Sequence, residues 1–193
     1  MARPRQFEED EALGAAMRVF WRHGYEATTY RLLEQATGIG RRSLINVFGD
    51  KDALFLRVLS RYRIAAEAVI GAVFDPPGRA AILAFFGALG ARQPLADGQE
   101  ADDTADAGCL MVNTVFELGR THPRVRSEVD AYRALWRATF ERSLRADGIA
   151  QAEERAEFLL GVLWGALSQI RLAGEVEAAA PLAEVARATI EGW

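Results

Sequence analysis

Hydrophobic residues recur at intervals of three and four along most of the chain, which places them on one face of an α-helix. Strict alternation of apolar and polar residues, which would indicate half-buried strands, is almost absent. The pattern predicts an all-α fold of about nine helices, separated by breaks that contain glycine or proline. The predicted helices cover approximately residues 8–23, 30–37, 41–48, 51–74, 79–91, 109–119, 123–146, 151–173 and 181–191.

The second and third predicted helices are short and are joined by Thr37–Gly40. Thr28 or Thr29 can cap the second helix, and the glycine that follows Thr37 can adopt the left-handed conformation that ends it. Leu44 and Phe48 lie four residues apart and would bury one face of the third helix. A short helix, a tight turn and a short amphipathic helix together predict a helix-turn-helix.

The opposite face of the third helix carries side chains that suit DNA. Arginine can pair with guanine and asparagine with adenine in the major groove, while hydroxyl groups and free N–H groups at a helix start suit phosphate oxygens. Lys51, the only lysine, begins the fourth helix, where the helix dipole disfavours a cation, and a phosphate would relieve that conflict. The alternative is an exposed lysine without function. We expect base contacts from Arg41, Arg42, Ser43 and Asn46 and phosphate contacts from Thr28, Thr29 and Lys51.

Several stretches resemble the DNA-binding segment of TetR-family transcriptional regulators. They are FWRHGYEATT (20–29), ATGI (36–39), SL (43–44) and FGDKDAL (48–54), and GCLMVNT (108–114) resembles a segment common in one branch of that family. We place a helix-turn-helix DNA-binding domain in residues 1–50 and a ligand-binding and dimerisation domain in residues 51–193. The resemblance implies a homodimer whose C-terminal helices pair, a palindromic operator in double-stranded DNA and a small-molecule effector that releases the DNA. We expect a repressor.

The segment departs from the family pattern at four positions. Gly40 stands where a serine or threonine cap is usual, and Ile45 replaces a tyrosine that would contact a phosphate. Arg42 stands where a small residue is common. Glu34 stands where a small residue lets the second and third helices cross closely, so we expect a wider crossing or a side chain that reaches solvent. These departures affect the expected operator sequence more than DNA binding itself.

The eighth predicted helix is apolar on all faces between Phe158 and Leu167, so both of its sides must be buried. One side can pack within its own domain and the other needs a partner, although the centre of a monomeric core is an alternative. Glycines four residues apart would let another helix approach closely. Together with the ninth helix this predicts a four-helix bundle across a two-fold axis. The expected interface residues are Phe158, Gly161, Val162, Gly165, Leu182 and Val185.

A ligand pocket is indicated by large and polar side chains in the fifth to eighth helices. Aromatic stripes at helical spacing usually form core, so most of these residues can serve packing alone. Asn113 stands out, because a buried amide needs partners, which a ligand or a carbonyl group could supply. The candidates are Phe86, Met111, Asn113, Phe116, Trp136, Phe140 and Gln169.

Composition excludes several other classes of protein. A single cysteine, Cys109, rules out an internal disulfide, and we expect a small buried residue there, with a redox sensor as the alternative. No apolar run reaches the ~20 residues that span a bilayer, and the N-terminus lacks the apolar core of a secretory signal, so we expect a cytoplasmic protein without a membrane partner. Two isolated histidines predict no metal site. We also expect no cofactor and no enzymatic activity, because the common catalytic motifs do not occur.

The net charge of −4 is divided unevenly along the chain. Residues 1–63 carry 11 basic and 8 acidic side chains, whereas residues 64–193 carry 12 basic and 19 acidic ones. A mildly basic first third joined to an acidic remainder supports DNA binding by the first third. The alternative function is an all-α small-molecule-binding protein with weak or no DNA binding.

Overall fold

The computed structural model describes residues 3–91, 105–119 and 121–193, and the elements in these ranges are all helical. The all-α prediction is confirmed. Short 3₁₀ turns at Ala105–Ala107 and Val176–Ala179 precede the sixth and ninth α-helices. The α-helices in the described residues are α1 Arg3–Ala27, α2 Tyr30–Thr37, α3 Arg41–Phe48, α4 Lys51–Val73, α5 Arg79–Ala88, α6 Leu110–Leu118, α7 Pro123–Ala146, α8 Ala152–Ala173 and α9 Ala180–Glu191.

Local sequence signals set the ends of the N-terminal helices. The Thr29 hydroxyl accepts a hydrogen bond from the Leu32 N–H at 3.3 Å, so Thr29 caps α2. Gly38 ends α2 with φ +69°, a left-handed conformation that glycine adopts without a steric cost. The Asp50 carboxylate caps α4 by accepting a hydrogen bond from the Ala53 N–H at 2.8 Å. The predicted cap at Thr29 and the predicted left-handed glycine after Thr37 are confirmed.

Helix α4 belongs to the packing of both halves of the chain. Near its start, Phe55 packs against Phe20 of α1 with ring centres 4.8 Å apart. About two turns further on, Tyr62 packs against Tyr132 of α7 with ring centres 5.9 Å apart. One continuous apolar core therefore extends from α1 to α9. The predicted domain boundary after residue 50 lies at the start of this shared helix, and it stays a prediction.

The C-terminal half is built around α7 and α8, with α5, α6 and α9 packed beside them. Helix α5 ends at Ala88, three residues earlier than predicted. Gly90 has φ +86°, a left-handed conformation, and a Cβ atom there would lie 2.6 Å from the backbone nitrogen of Ala180. The chain therefore leaves the helical conformation where it meets the start of α9. Residues 92–104, which lie between the fifth and sixth predicted helices, are outside the described residues.

Helix α8 is long and apolar enough to cross a membrane by length and composition, and it is the one such helix in the described ranges. Its most apolar window has a mean hydropathy of 1.2, and 33% of that window is buried within the chain. A core helix of a globular protein meets the same criteria. Because 33% of this window is buried within the chain, α8 keeps apolar surface that its own chain leaves exposed.

Candidate nucleic-acid interface

Helix α3 buries one face and exposes the other. Leu44 and Phe48 are 1% and 4% exposed and pack into the core between α1, α2 and α4. Val47 is partly buried against the same core, whereas the other positions of the helix are exposed and include four of the predicted DNA-contacting residues. The exposed candidates on α3 are Arg41, Arg42, Ser43 and Asn46. The structure thus brings the predicted base-reading side chains together on one short helix.

The side chain of Arg41 lies back over the start of α2. Its guanidinium carbon is 4.6 Å from the centre of the Tyr30 ring, a distance typical of a cation–π contact. Thr29, the exposed cap of α2, directly precedes Tyr30. The predicted base contact of Arg41 and the predicted phosphate contact of Thr29 therefore originate from neighbouring parts of the surface.

Glu34 supplies the cap that Gly40 lacks. Gly40 precedes α3 and makes no side-chain hydrogen bond, whereas the Glu34 carboxylate of α2 accepts a hydrogen bond from the Arg41 N–H at 2.6 Å. A carboxylate also stabilises the positive end of the α3 dipole. The expectation that Glu34 widens the crossing or reaches into solvent is replaced by this role. Two apparent departures from the family pattern are thus parts of one contact.

Thr28 does not lie on the candidate DNA surface, so the prediction that its side chain contacts a phosphate is wrong. The residue is 1% exposed, and its hydroxyl donates a hydrogen bond to the Gly24 carbonyl at 2.6 Å. Its neighbour Thr29 is exposed. Sequence alone could not separate the two threonines, because which one faces the core depends on how α1 ends.

Lys51 has partners within the chain. Its ammonium donates to the carbonyl oxygens of Tyr25 at 3.1 Å and Thr28 at 3.3 Å, and it lies 4.1 Å from the centre of the Tyr25 ring. The argument that a phosphate is needed to explain a lysine at the start of α4 is therefore wrong. The side chain is partly exposed and an ammonium has three N–H groups, so a phosphate contact stays a prediction.

A hydrogen-bonded chain joins the end of α1 to the start of α7. The Tyr25 hydroxyl donates to Asp52, and the His122 Nε2–H donates to the same carboxylate at 3.2 Å while His122 Nδ1 accepts from Val125 N–H. Hydrogen bonds from Tyr25 and His122 lower the pKa of the Asp52 carboxyl. Burial and the Asp52 contact raise the pKa of the Tyr25 phenol. No local sequence pattern indicated this cluster, since its members are far apart in the chain.

Helices α6 and α8 hold the chain on both sides of Gly24, which interrupts α1 with φ +78°. The Glu117 carboxylate of α6 accepts hydrogen bonds from the backbone N–H groups of Tyr25 and Glu26 at 2.8 and 2.6 Å. On the other side, the Arg171 guanidinium of α8 donates to the Arg22 carbonyl at 3.2 Å. The end of α1 is therefore one attachment of the three-helix unit to the C-terminal half, beside the continuous helix α4.

A cavity of about 510 Å³ lies between α1, α4, α5 and α7. Eleven of the described residues line it: Met17, Trp21, Tyr62, Ala65, Ala66, Val69, Ile70, Val73, Phe74, Phe85 and Trp136. Of the seven predicted ligand residues, Trp136 is the one in this set. The sequence analysis missed the contribution of α1 and α4, whose cavity-lining side chains look like ordinary core positions.

The other six predicted ligand residues do not line this cavity, and a ligand contact by them stays a prediction. Phe86, Met111 and Phe140 are fully buried core residues. Phe116 is 75% exposed, and Gln169 is also exposed. The Asn113 amide donates to the Ala107 carbonyl at 2.8 Å, so a backbone carbonyl satisfies that donor.

The predicted dimer surface is partly open. Phe158 and Val185 are 47% and 64% exposed, and a Cβ atom at Gly161 would meet nothing within 4 Å. A Cβ atom at Gly165 would lie 3.5 Å from Leu182 of the same chain, so that glycine serves the packing of α8 against α9. Val162 is partly buried. The interface itself stays a prediction.

Within the described part of the chain, no group of three metal-ligating side chains occurs. Cys109 is 2% exposed, and its Sγ contacts the hydroxyl groups of Tyr62 at 3.3 Å and Tyr132 at 3.6 Å. Burial raises the pKa of both phenols. Cys109 is thus a buried residue whose thiol hydrogen-bonds within the core.

The fold and the exposed face of α3 define a helix-turn-helix DNA-binding protein with a helical C-terminal domain. Residues 12–58 match the family model for "Bacterial regulatory proteins, tetR family", and residues 95–188 match "Tetracyclin repressor-like, C-terminal domain". A curated relative, the HTH-type transcriptional repressor ComR of Escherichia coli, is 30% identical over 99% of this chain and 91% of its own length. The chain belongs to the TetR family of transcriptional regulators, which is not a family of enzymes.

Other relatives agree on both the DNA-binding segment and the fold. The repressor AcnR of Corynebacterium efficiens is 52% identical over 46 residues, 24% of each chain. A cysteine mutant of the regulator CifR, solved with 26-bp operator DNA, is 29% identical over 99% of this chain and 100% of its own, with a TM-score of 0.75. A TetR-family regulator from Cytophaga hutchinsonii shares the fold with a TM-score of 0.78, 16% identity and 97% and 94% coverage.

Proposed function

We propose that this chain is a cytoplasmic, dimeric repressor that binds a palindromic operator through α3 and releases it when a small molecule occupies the cavity. The observation that carries the proposal is the division of α3 into a buried face, Leu44 and Phe48, and an exposed face with two arginines and an asparagine. Arginine and asparagine have the donor patterns that distinguish guanine and adenine in the major groove. The relative CifR, solved with operator DNA, supports a DNA partner.

Phosphate contacts would fix the register of α3 in the groove. Thr29 is exposed at the start of α2, where the positive end of the helix dipole favours an anion. Lys51 lies close by through its contacts with Tyr25 and Thr28. Such contacts give affinity without sequence preference, so specificity rests on the side chains of α3.

A dimer follows from the geometry of operator recognition. One chain supplies one recognition helix, and helix-turn-helix dimers bind half-sites about one helical turn apart. The open apolar surface of α8 and α9, with Phe158, Gly161 and Val185 exposed, is suited to a second copy. An isologous contact would bury the part of α8 that its own chain leaves uncovered.

Release of DNA would be transmitted by α1. This helix lines the cavity, and its C-terminal end carries contacts that attach the three-helix unit to the C-terminal half. Met17 and Trp21 line the cavity, and the chain just beyond them is held by Glu117 and Arg171. An occupant that displaces α1 relative to α4 would change the separation of the two recognition helices. The ligand needs only a higher affinity for the displaced arrangement to shift the population.

In vitro selection from a random duplex library tests the DNA-binding proposal. We expect enrichment of a palindrome with half-sites about one turn apart, and salt-dependent affinity for it by fluorescence anisotropy. Failure to enrich any motif would favour the second candidate, a small-molecule-binding protein with weak or no DNA binding. That candidate is favoured by Ile45, which is 39% exposed on α3 and cannot donate a hydrogen bond to a phosphate.

A further inference from the structure

Among the residues that the structure describes, no charged side chain lines the cavity between α1, α4, α5 and α7. All eleven lining residues are aliphatic or aromatic. Tyr62 alone among them has a hydroxyl group, and that hydroxyl donates to the Cys109 Sγ at 3.3 Å. The Trp21 indole N–H donates to the Gly108 carbonyl at 3.0 Å, and the Trp136 indole N–H is buried without a hydrogen-bond partner among the described residues. The described walls therefore offer an occupant apolar contact and one unpaired N–H donor.

We propose that the effector of this protein is an uncharged molecule with an aromatic body of two or three fused rings. This inference rests on the proposed release of DNA by a ligand in this cavity. An ionised group placed between these walls would lose its hydration and gain no partner, which strongly disfavours its binding. The volume of about 510 Å³ lies within the range of pockets that hold drug-sized molecules.

Aromatic side chains make the interior selective for flat rings. Trp136 lies 4.9 Å from Phe85 and 6.2 Å from Phe74 between ring centres, in tilted and edge-to-face arrangements. Trp21 and Tyr62 pack edge to face at 5.1 Å on the α1 side. Ring faces and edges are thus presented from several directions, and a planar aromatic occupant can make offset or edge contacts with them.

The mouth of the cavity lies along α4. Val69 and Val73 are 62% and 45% exposed although they line the cavity, and Ala65 is exposed as well. An occupant would enter the cavity at this edge. The apolar body would lie deeper, against Trp21 of α1. Displacing Trp21 would strain its hydrogen bond to Gly108, just before α6, which connects occupancy to the attachment of α1.

Three naphthalenes of similar size but different charge test the ligand class. They are 2-acetylnaphthalene, which is neutral, 2-naphthoate, an anion, and 2-naphthylmethylammonium, a cation. We expect the ketone to quench tryptophan fluorescence saturably with one site per chain and to bind at least about ten-fold more tightly than either ion, because only the ions lose hydration without a partner. Equal or tighter binding of an ion, or no saturable binding of the ketone, would overturn the proposal.

A charged substitution at the mouth of the cavity tests whether the probes bind there. Val69→Arg puts a cation at the exposed edge of the cavity, and Ile64→Arg puts one on α4 at a position that is 59% exposed and does not line it. Both positions are exposed, so both variants should fold. We expect Val69→Arg to raise the affinity for 2-naphthoate about ten-fold and Ile64→Arg to leave it unchanged. Equal effects of the two variants would show that the probes bind elsewhere and contradict the proposal.

Anisotropy with the selected operator separates this inference from the proposed function. If the ketone binds as expected but the operator stays bound, the release mechanism fails and the ligand class stands. If the protein shows no operator affinity without ligand, DNA binding fails and the fluorescence titration still decides the ligand class. If operator binding is normal and the ketone does not bind, the ligand class alone is overturned.

Discussion

The carboxylate of Glu34 in α2 accepts a hydrogen bond from the backbone N–H of Arg41 in α3, at 2.6 Å. The residue before Arg41 is Gly40, which has no side chain to cap α3. The contact therefore joins the two helices of the helix-turn-helix at the start of the recognition helix. It also fixes the backbone from which the predicted base-contacting residues project.

Removing the Glu34 carboxylate should destabilise the protein. Glu34→Ala leaves the first N–H groups of α3 without a cap, and we expect a loss of ~1 kcal/mol in the free energy of unfolding. Urea denaturation measures it, with Gln35→Ala, an exposed position in α2, as the matched control. Gly40→Ser should restore part of the loss, because Gly40 has an extended backbone that a serine cap can adopt. Equal effects of Gly40→Ser in the wild type and in Glu34→Ala would contradict the shared role.

Asn46→Ala should change the sequence preference of DNA binding. If the Asn46 amide pairs with a base, its loss costs ~1–3 kcal/mol on the selected operator and relaxes preference at one position of each half-site. Anisotropy with the operator and with its single-base variants measures both quantities. Gln169→Ala removes an exposed amide from α8 and should change neither. An unchanged preference in Asn46→Ala would refute the base contact.

Lys51→Ala should reduce both stability and affinity for DNA. The ammonium satisfies the carbonyls of Tyr25 and Thr28, so its loss should lower the urea midpoint. If it also contacts a phosphate, affinity falls for all sequences and the slope of log affinity against log salt decreases by about one. Arg126→Ala, the control, removes one positive charge from an exposed position on α7. A salt slope equal to that of this control would limit Lys51 to its structural role.

The Asp52 cluster should make stability depend on acidic pH. Because the pKa of Asp52 is lower in the folded protein than its ordinary value of 3.8, the charged carboxylate stabilises the fold above that value. This contribution is lost as the pH falls from about 5 through the folded-state pKa. The urea midpoint of Asp52→Asn should therefore lie below that of the wild type at pH 6, and the difference should shrink by pH 3. Asp130→Asn, an exposed control in α7, should show no such convergence.

Val185→Asp should dissociate the proposed dimer. The residue is 64% exposed on α9, so the charge should be tolerated in a monomer but not between two apolar surfaces. Sedimentation velocity at micromolar concentration should give a dimer for the wild type and a monomer for the variant, with unchanged helical circular dichroism. Ile64→Asp in α4 is the control. A wild type that sediments as a monomer would refute the dimer.

Local sequence patterns were sufficient to predict the helices and the helix-turn-helix, because both features depend on residues within a turn or two of one another. The 3.6-residue period, the Thr29 and Asp50 caps and the left-handed Gly38 act locally, and each is found in the structure. The same local rules predicted which face of α3 is buried, since Leu44 and Phe48 lie on a single stripe. The family motifs added a function to that local geometry.

The burial and the hydrogen-bond partners of individual side chains could be read from the tertiary structure alone. Thr28 is buried and its neighbour exposed because of how α1 ends at Gly24, and Lys51 finds carbonyl groups from residues more than 20 positions earlier in the chain. The cavity is formed where four helices fail to fill the space between them, so its walls include Met17 and Trp21, which no local pattern distinguishes from core. Helix formation is a short-range property of the chain, whereas voids and long-range hydrogen bonds depend on how all the helices pack at once.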